Sequence, residues 1–467
     1  MKIFTARFWA YLSVVLLVVI SLVLFTPYFE VFKPDVRFVG PVDRVGQVKT
    51  VTINVSDPDS GLRHVGVSIA QHGIAYTLAS LDFPEQGTNH KSFTVELNPR
   101  SLKFSDGEAL ITVTASDRSL FGNTARLEQR VVIDQVPPQI SLLSSYHNIS
   151  PGGSCLAVYS ISKETEKSGI KVGGDFFPGY PAVSGDNKVY LAFFPVPLNP
   201  DKGSLRIAVY ARDPAGNEAT VSVPHHLKPK KFRSDSVEVS DAFLSKVVLE
   251  FQQQDPGLRG KSPVETFGYI NETLREENSK AIQAVCTKTS AVRLWQGPFL
   301  RMKEAAPMAL FGDRRTYTHH RQKIGESIHL GVDLASTAHA PIEAANSGVV
   351  VFSGNLGIYG NAVVIDHGLG IFSLYGHMSE LKAVEGRQVA KGDVIGTSGE
   401  SGFAGGDHLH FSILVGGRFV DPVEWWDPHW ITDNVEKKLS QASLYENIHN
   451  SLFFWHVSFS NENQLGS

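Results

Sequence analysis

Four side chains in two short stretches have the types and spacing of a metal site. The first stretch reads Ile328-His329-Leu330-Gly331-Val332-Asp333-Leu334, and the second reads Asp407-His408-Leu409-His410-Phe411. Read as a β-strand, the first turns Ile328, Leu330, Val332 and Leu334 to one face and His329, Gly331 and Asp333 to the other. The glycine between imidazole and carboxylate has no side chain to block an ion. The second, read the same way, faces Leu409 and Phe411 to a core and His408 and His410 away from it. Two histidines and one carboxylate, with a fourth position left to water, make the donor set of a catalytic zinc site. Four candidates for three protein ligands leave one imidazole over for acid–base work.

More blocks extend the pattern. Gly360-Asn361 leads into Val363-Val364-Ile365-Asp366-His367-Gly368, then come Tyr375-Gly376-His377-Met378 and the run from Glu385 to Gly396. With these blocks in this order, residues 294–426 resemble the M23 family of zinc metallopeptidases, the lysostaphin- and LytM-like peptidoglycan endopeptidases. Phe311-Gly312-Asp313-Arg314-Arg315 also resembles the family. The resemblance covers a little under a third of the chain. It implies a Zn2+ cofactor held by His329, Asp333 and His410, with His408 and His377 as the non-ligand active-site histidines. His408, on the face of a ligand, is then the proton acceptor. His377, placed on the face of Tyr375 by strand alternation, is a second base or an oxyanion-stabilising group. Two positions depart from the family pattern: Asp407 stands where proline is usual, and Ser412 where an acidic residue is frequent. Asp407 is expected to contact His408 and raise its pKa. His319, His320, His339, His367 and His429 have no partner at ligand spacing and read as surface or turn residues.

The remaining elements must carry and place this site. The chain has 467 residues and 42% apolar content, enough for several buried cores. A formal net charge of -4 and the lack of any basic run argue against a nucleic-acid partner. Residues 8–25 are an almost unbroken apolar run behind Lys2 and Arg7. That reads as an uncleaved transmembrane anchor with the rest of the chain exported. Bulky residues after Phe25 speak against a cleaved leader.

A β-rich region follows. Its internal repeat pairs Ala115-Ser116-Asp117 and Gly122-Asn123 with Ala211-Arg212-Asp213 and Gly216-Asn217, about ninety-five residues later. That period suits two β-sandwich modules, similar to the immunoglobulin-like domains of exported bacterial proteins. In each, Gly-Asn is expected to supply the positive φ angles of a tight hairpin. No acidic or aromatic cluster stands out in either, which favours a spacer over a binding module. Helical periodicity then predicts one helix from Asp241 capped by Ser240, and a second from Pro263 with a Ser262/Glu265 capping box. Cys155 and Cys286 fall in different regions, and their pairing is left open.

The expected fold is therefore mainly β. It comprises a tip and anchor (1–33), two Ig-like modules (34–138 and 139–230), a helical linker region (231–290), an antiparallel β LytM-type peptidase domain (291–432) and a tail (433–467). Composition shifts near Lys230 and Ala291 predict that modules and peptidase fold independently. The expected protein is a single-pass inner-membrane zinc metalloendopeptidase, its catalytic domain on the periplasmic side, that cuts peptide cross-links of peptidoglycan. The alternative is a non-catalytic LytM-like regulator that activates another wall hydrolase. Any cell-wall or division-machinery partner beyond substrate is left open.

Overall fold

The computed structural model describes residues 2–24, 29–84, 87–183, 186–200, 203, 205–441 and 443. They are mainly β with few helices. The chain divides into two compact units, Met1–Pro138 with Arg212–Glu218, and Gln139–Ala211 with Ala219–Ser467. The N-terminal apolar run forms the helix Lys2–Leu24. Among the described residues no helix is long and apolar enough to cross a membrane. The expected span thus has no counterpart among them, and Phe25–Tyr28, at its end, lie outside the described residues.

In the first unit, strands Asp35–Val39, Lys49–Ser56 and His90–Leu97 form one antiparallel sheet. Leu62–Gln71, Ile74–Asp82, Gly107–Asp117, Thr124–Ile133 and the short Arg44–Val45 form another. Alternate residues are buried along Gly107–Asp117 and Leu62–Gln71, as period-two side-chain direction requires. Val51, Ile53 and Val55 meet Val65, Ile69, Ile111 and Val113 in one core. Each such side chain stabilises by roughly 1.5–3 kcal/mol on burial. The repeat turns work differently from expectation. Gly122 and Gly216 take φ of +58° and +87°, but the asparagines serve through their side chains. Asn123 Nδ2 donates to Asp117 Oδ2 at 2.8 Å, and Asn217 Nδ2 to Asp213 Oδ2 at 3.0 Å.

The second unit opens with two four-stranded sheets built on Ser154–Ile161 and Lys167–Val172. All eight residues of Ser154–Ile161 are buried. One face packs within its own sandwich through Cys155, Ala157 and Tyr159. The other, through Leu156 and Val158, joins Phe193, Trp295, Val332, Phe411 and Trp425 in a core that runs into the large C-terminal sheet. Residues 139–230 and 291–432, separate regions on sequence, share this core.

The two helices begin as expected. Ser240 Oγ accepts from Phe243 N at 3.2 Å, and the Ser262/Glu265 capping box is complete. The second helix runs Pro263–Tyr269, then through a π turn at Ile270–Leu274 into Arg275–Val285. Val247, Phe251, Ile270 and Ile282 pack on Leu356, Tyr359, Phe372 and Leu414. Ser234–Glu238, placed in the helical region, is a strand that pairs in parallel with Arg314–His319. Cys155 and Cys286 are free and buried. The end of the described chain is also docked: Lys438 Nζ, buried, donates to Leu156 O at 2.9 Å.

His367 is a correction. It is fully buried rather than a surface residue. Nδ1 donates to Ser347 O at 2.8 Å, Nε2 bonds Ser373 Oγ at 2.7 Å, and the ring meets Phe299 edge-on. Burial lowers its pKa from 6.5 to about 4. The unfolded chain then binds the extra proton first, so stability present above pH 6.5 is lost as pH falls towards 4. Urea titrations of wild type and His367→Gln should show the wild-type advantage narrowing by about 2 kcal/mol between roughly pH 7.5 and 5. A constant gap would mean that His367 is protonated equally in both states.

Candidate metal centre

The large C-terminal sheet runs Ala306–Ala309, Val332–Ala335, Leu409–Val415, Ile371–Met378, Asn361–Gly368, Gly348–Asn355 and Gln388–Val389. The strand expected from Ile328 to Leu334 is broken. Gln322–Ile328 belongs to the sheet with Arg314–His319, and Val332–Ala335 begins anew in the large sheet. His329 sits in the passage between them, its N–H on Asp313 O at 2.9 Å and its carbonyl accepting from Gly312 N at 2.7 Å. Gly331 makes the passage sterically feasible. A Cβ there would lie 2.5 Å from His410 Nε2 and 2.6 Å from Phe411 O. The second stretch behaves as expected. Asp333 lies directly opposite His410 on the antiparallel ladder, and Leu409 and Phe411 face the core.

Three donor atoms converge. His329 Nε2 is 2.9 Å from Asp333 Oδ1 and 3.1 Å from His410 Nδ1, and His410 Nδ1 is 2.9 Å from Asp333 Oδ1. All three residues are buried. The outer hydrogen bonds set the tautomers. His329 Nδ1–H donates to Leu310 O at 3.1 Å, which leaves a lone pair on Nε2. Ser412 Oγ–H donates to Leu330 O at 2.9 Å, so it accepts from His410 Nε2–H at 3.0 Å, leaving a lone pair on Nδ1. Burial lowers the His410 pKa to about 4, so a second proton is not available at neutral pH. Two imidazole lone pairs and a carboxylate oxygen thus face one point. Such a set repels itself unless a cation lies between. A tetrahedral zinc with bonds of about 2.0–2.1 Å would hold its donors roughly 3.3 Å apart, within a few tenths of an ångström of this geometry. The residues present therefore fit zinc.

Burial alone would raise the Asp333 carboxyl, but the imidazoles gathered around it, His329 foremost, hold it well below the usual carboxylate range. Arg315 Nη2 donates to Asp333 Oδ2 at 3.3 Å. This leaves Oδ1 alone facing the centre. Neither Arg315 nor Ser412 was picked out on sequence as a support. Arg315 reaches the site from another strand, whereas Ser412 lies two residues beyond His410 on the same face of Leu409–Val415, a spacing legible in the sequence.

His408 and His377 stand beside the three. His408 Nδ1–H donates to Gly406 O at 2.8 Å, and Nε2 lies 3.6 Å from Asp333 Oδ1. Burial would lower its pKa, but the hydrogen bond and charge of Asp333 outweigh this and raise it. Asp407, expected to do so, is engaged elsewhere. Its carboxylate accepts from Ser398 Oγ at 2.5 Å and His339 N at 3.0 Å.

His377 reaches the site by a route that alternation does not foresee. Regular alternation would put it with Tyr375, which faces the core with Phe411. Instead the ladder slips one residue between Tyr375 and Met378, and His377 takes φ of +62°. This bulge turns the ring to the face of the other four side chains, 4.8 Å from the ring of His408. A left-handed histidine is strained, and such strain gathers at functional sites. His377 Nδ1–H donates to Ser401 O at 2.9 Å, and burial lowers its pKa to about 3. Its Nε2 is therefore a hydrogen-bond acceptor facing the same point as His408.

The five side chains line a cavity of about 360 Å³, which Val237, Ser240 and Phe243 also line. Ser412→Ala should lower zinc affinity roughly ten- to a hundredfold by releasing the His410 tautomer. Titration against a chelator would read this directly, and unchanged affinity would assign Ser412 to packing alone.

Residues 327–422 match the family model described as Peptidase family M23. A segment of the chain is 42% identical over 96 residues to DD-carboxypeptidase/endopeptidase Mpg of Neisseria meningitidis serogroup B, covering 21% of this chain and 22% of that one. Another relative is Peptidoglycan DD-endopeptidase ShyA of Vibrio cholerae serotype O1, 38% identical over 96 residues, 21% of this chain and 22% of that one. A third is a Lipoprotein NlpD/LppB homolog of Pseudomonas aeruginosa, 39% identical over 102 residues, 21% of this chain and 33% of that one. The chain thus spans about a fifth of the length of the first of these relatives. All five side chains lie within residues 327–422, the stretch that matches the Peptidase family M23 model.

Proposed function

We propose that this chain is a zinc metalloendopeptidase that hydrolyses peptide cross-links of bacterial peptidoglycan. The observation that carries the reading is the convergence of His329 Nε2, Asp333 Oδ1 and His410 Nδ1, with His408 and His377 alongside. Those three side chains would hold the ion. When bound, zinc supplies Lewis acidity, acidifying water and polarising the scissile carbonyl. His408 Nε2 takes the proton of the attacking water and returns it to the leaving amine. Gly406 O, holding Nδ1–H, keeps that nitrogen free to do so. His377 Nε2 accepts a hydrogen bond from the same water and orients it. Relatives named as a DD-carboxypeptidase/endopeptidase and a DD-endopeptidase support peptidoglycan as substrate. The five intact residues weigh against a non-catalytic regulator.

In the same reading the protein is a single-pass protein of the inner membrane with the peptidase on the periplasmic side. Exposed apolar side chains from Phe8 to Ile20 support an anchor there. The β units are read as Ig-like spacers between membrane and wall, and nucleic acid has no part.

The test is mass analysis of purified wall incubated with the zinc-loaded protein. Cross-linked muropeptide dimers should give way to monomers. An unchanged muropeptide profile, with cleavage of exported proteins instead, would move the substrate from wall to protein. An unchanged profile with a second hydrolase activated would select the regulator.

A further inference from the structure

The first unit holds a second cluster of acids. Glu30, Asp57 and Asp117 bring one carboxylate oxygen each within 4.8 Å of the others. They are 8%, 1% and 0% exposed. They come from separate parts of the chain. Glu30 precedes the first strand, Asp57 opens the Asp57-Pro58-Asp59-Ser60-Gly61 turn, and Asp117 ends the strand Gly107–Asp117.

Neutral donors hold them in place. Ser60 N donates to Glu30 Oε2 at 2.9 Å and Gly61 N to Asp57 Oδ1 at 2.8 Å. Ser119 N and Oγ donate to Asp117 Oδ1 at 3.2 and 2.9 Å. Asn123 Nδ2 ties the group together, donating to Asp117 Oδ2 at 2.8 Å and Glu30 O at 3.0 Å. Among the described residues none of the three carboxylates has a lysine or arginine partner. One acceptor is left over: Asp57 Oδ2 is buried and accepts no hydrogen bond from the protein. Buried like charges at this range repel, and an orphaned carboxylate oxygen adds a desolvation cost.

The asparagine–aspartate pin recurs in the repeat without the complete acid cluster. In the second copy Asn217 Nδ2 makes the same two bonds, to Asp213 Oδ2 at 3.0 Å and Asp134 O at 2.7 Å. Yet among the described residues no three-carboxylate group forms there. The asparagine pin is the structural part of the repeat, and the acid cluster is an addition to the first copy. Its donors are all oxygens, which suits a hard divalent cation and not zinc.

We propose that Glu30, Asp57 and Asp117 bind one Ca2+. The ion would clamp the segment that follows the N-terminal helix onto the first β unit. Ca2+ accepts the irregular oxygen set that carboxylates from three separate segments make, whereas Mg2+ demands near-ideal octahedral geometry.

Equilibrium dialysis of the full zinc-loaded chain against radioactive calcium tests this. Wild type should bind one Ca2+ with a Kd of about 10⁻⁴–10⁻³ M, the range of extracellular modules, and its melting temperature should rise with calcium. Glu30→Gln and Asp57→Asn should each weaken binding roughly tenfold or more by removing a charged ligand, and abolish the calcium-dependent rise, without changing zinc content. Glu30 lies outside the strands, so its variant keeps the sandwich even if Asp57→Asn unfolds it. Calcium that fails to bind at millimolar concentration, or binds both variants as it binds wild type, overturns the proposal. Binding of Mg2+ in preference would replace the ion named here.

Discussion

Alanine at His329, Asp333 or His410 is expected to remove zinc and wall hydrolysis together, whereas alanine at His408 or His377 should leave about one zinc per chain. In the second class turnover should fall by roughly a hundredfold or more, the scale of lost acid–base help. The difference follows from geometry. The first three atoms lie 2.9–3.1 Å from one another, while His408 Nε2 stands 3.6 Å from Asp333 Oδ1. Loss of a ligand should also lower stability, because the ion would tie His329, in the passage between two sheets, to the Asp333–His410 ladder. Zinc content, melting temperature and muropeptide release on all five variants decide it. If His408→Ala loses zinc and His410→Ala keeps it, ligand and base are interchanged. If all five hydrolyse wall like wild type, the centre lies elsewhere.

A fragment of residues 291–467 should not fold, although the composition shift at Ala291 suggested that it would. Trp295 and Trp425 are 1% and 0% exposed in the intact chain. Phe193 of the preceding sandwich covers both, with ring centroids 6.4 and 5.9 Å away. Leu156, Val158 and Leu191 complete the same core. Truncating even one such phenylalanine costs about 3–5 kcal/mol, a large part of a domain's whole stability. The fragment should therefore aggregate, or bind a hydrophobic dye with weak near-ultraviolet dichroism. A fragment of 139–467 should remain soluble and bind zinc. Cooperative unfolding of the shorter fragment, with native tryptophan dichroism, would show that the shared core is dispensable.

Local chemistry wrote much of this protein into its sequence. The donor set His329, Asp333, His408 and His410, the alternation in Gly107–Asp117, the caps at Ser240 and Ser262 and the Gly-Asn repeat all rest on neighbours a few residues apart. Tertiary structure decided what depends on distant elements. The His329 stretch breaks into two strands because neighbouring sheets claim its halves, and Gly331 admits His410 against the backbone. His377 reaches the face of the other four side chains only through a bulge, since a one-residue slip reverses every side chain beyond it. Arg315 supports Asp333 from another strand. His367 is buried by Phe299 from a separate segment. Glu30, Asp57 and Asp117 are far apart in sequence, and only the closing of the first unit's sheets brings the three carboxylates together.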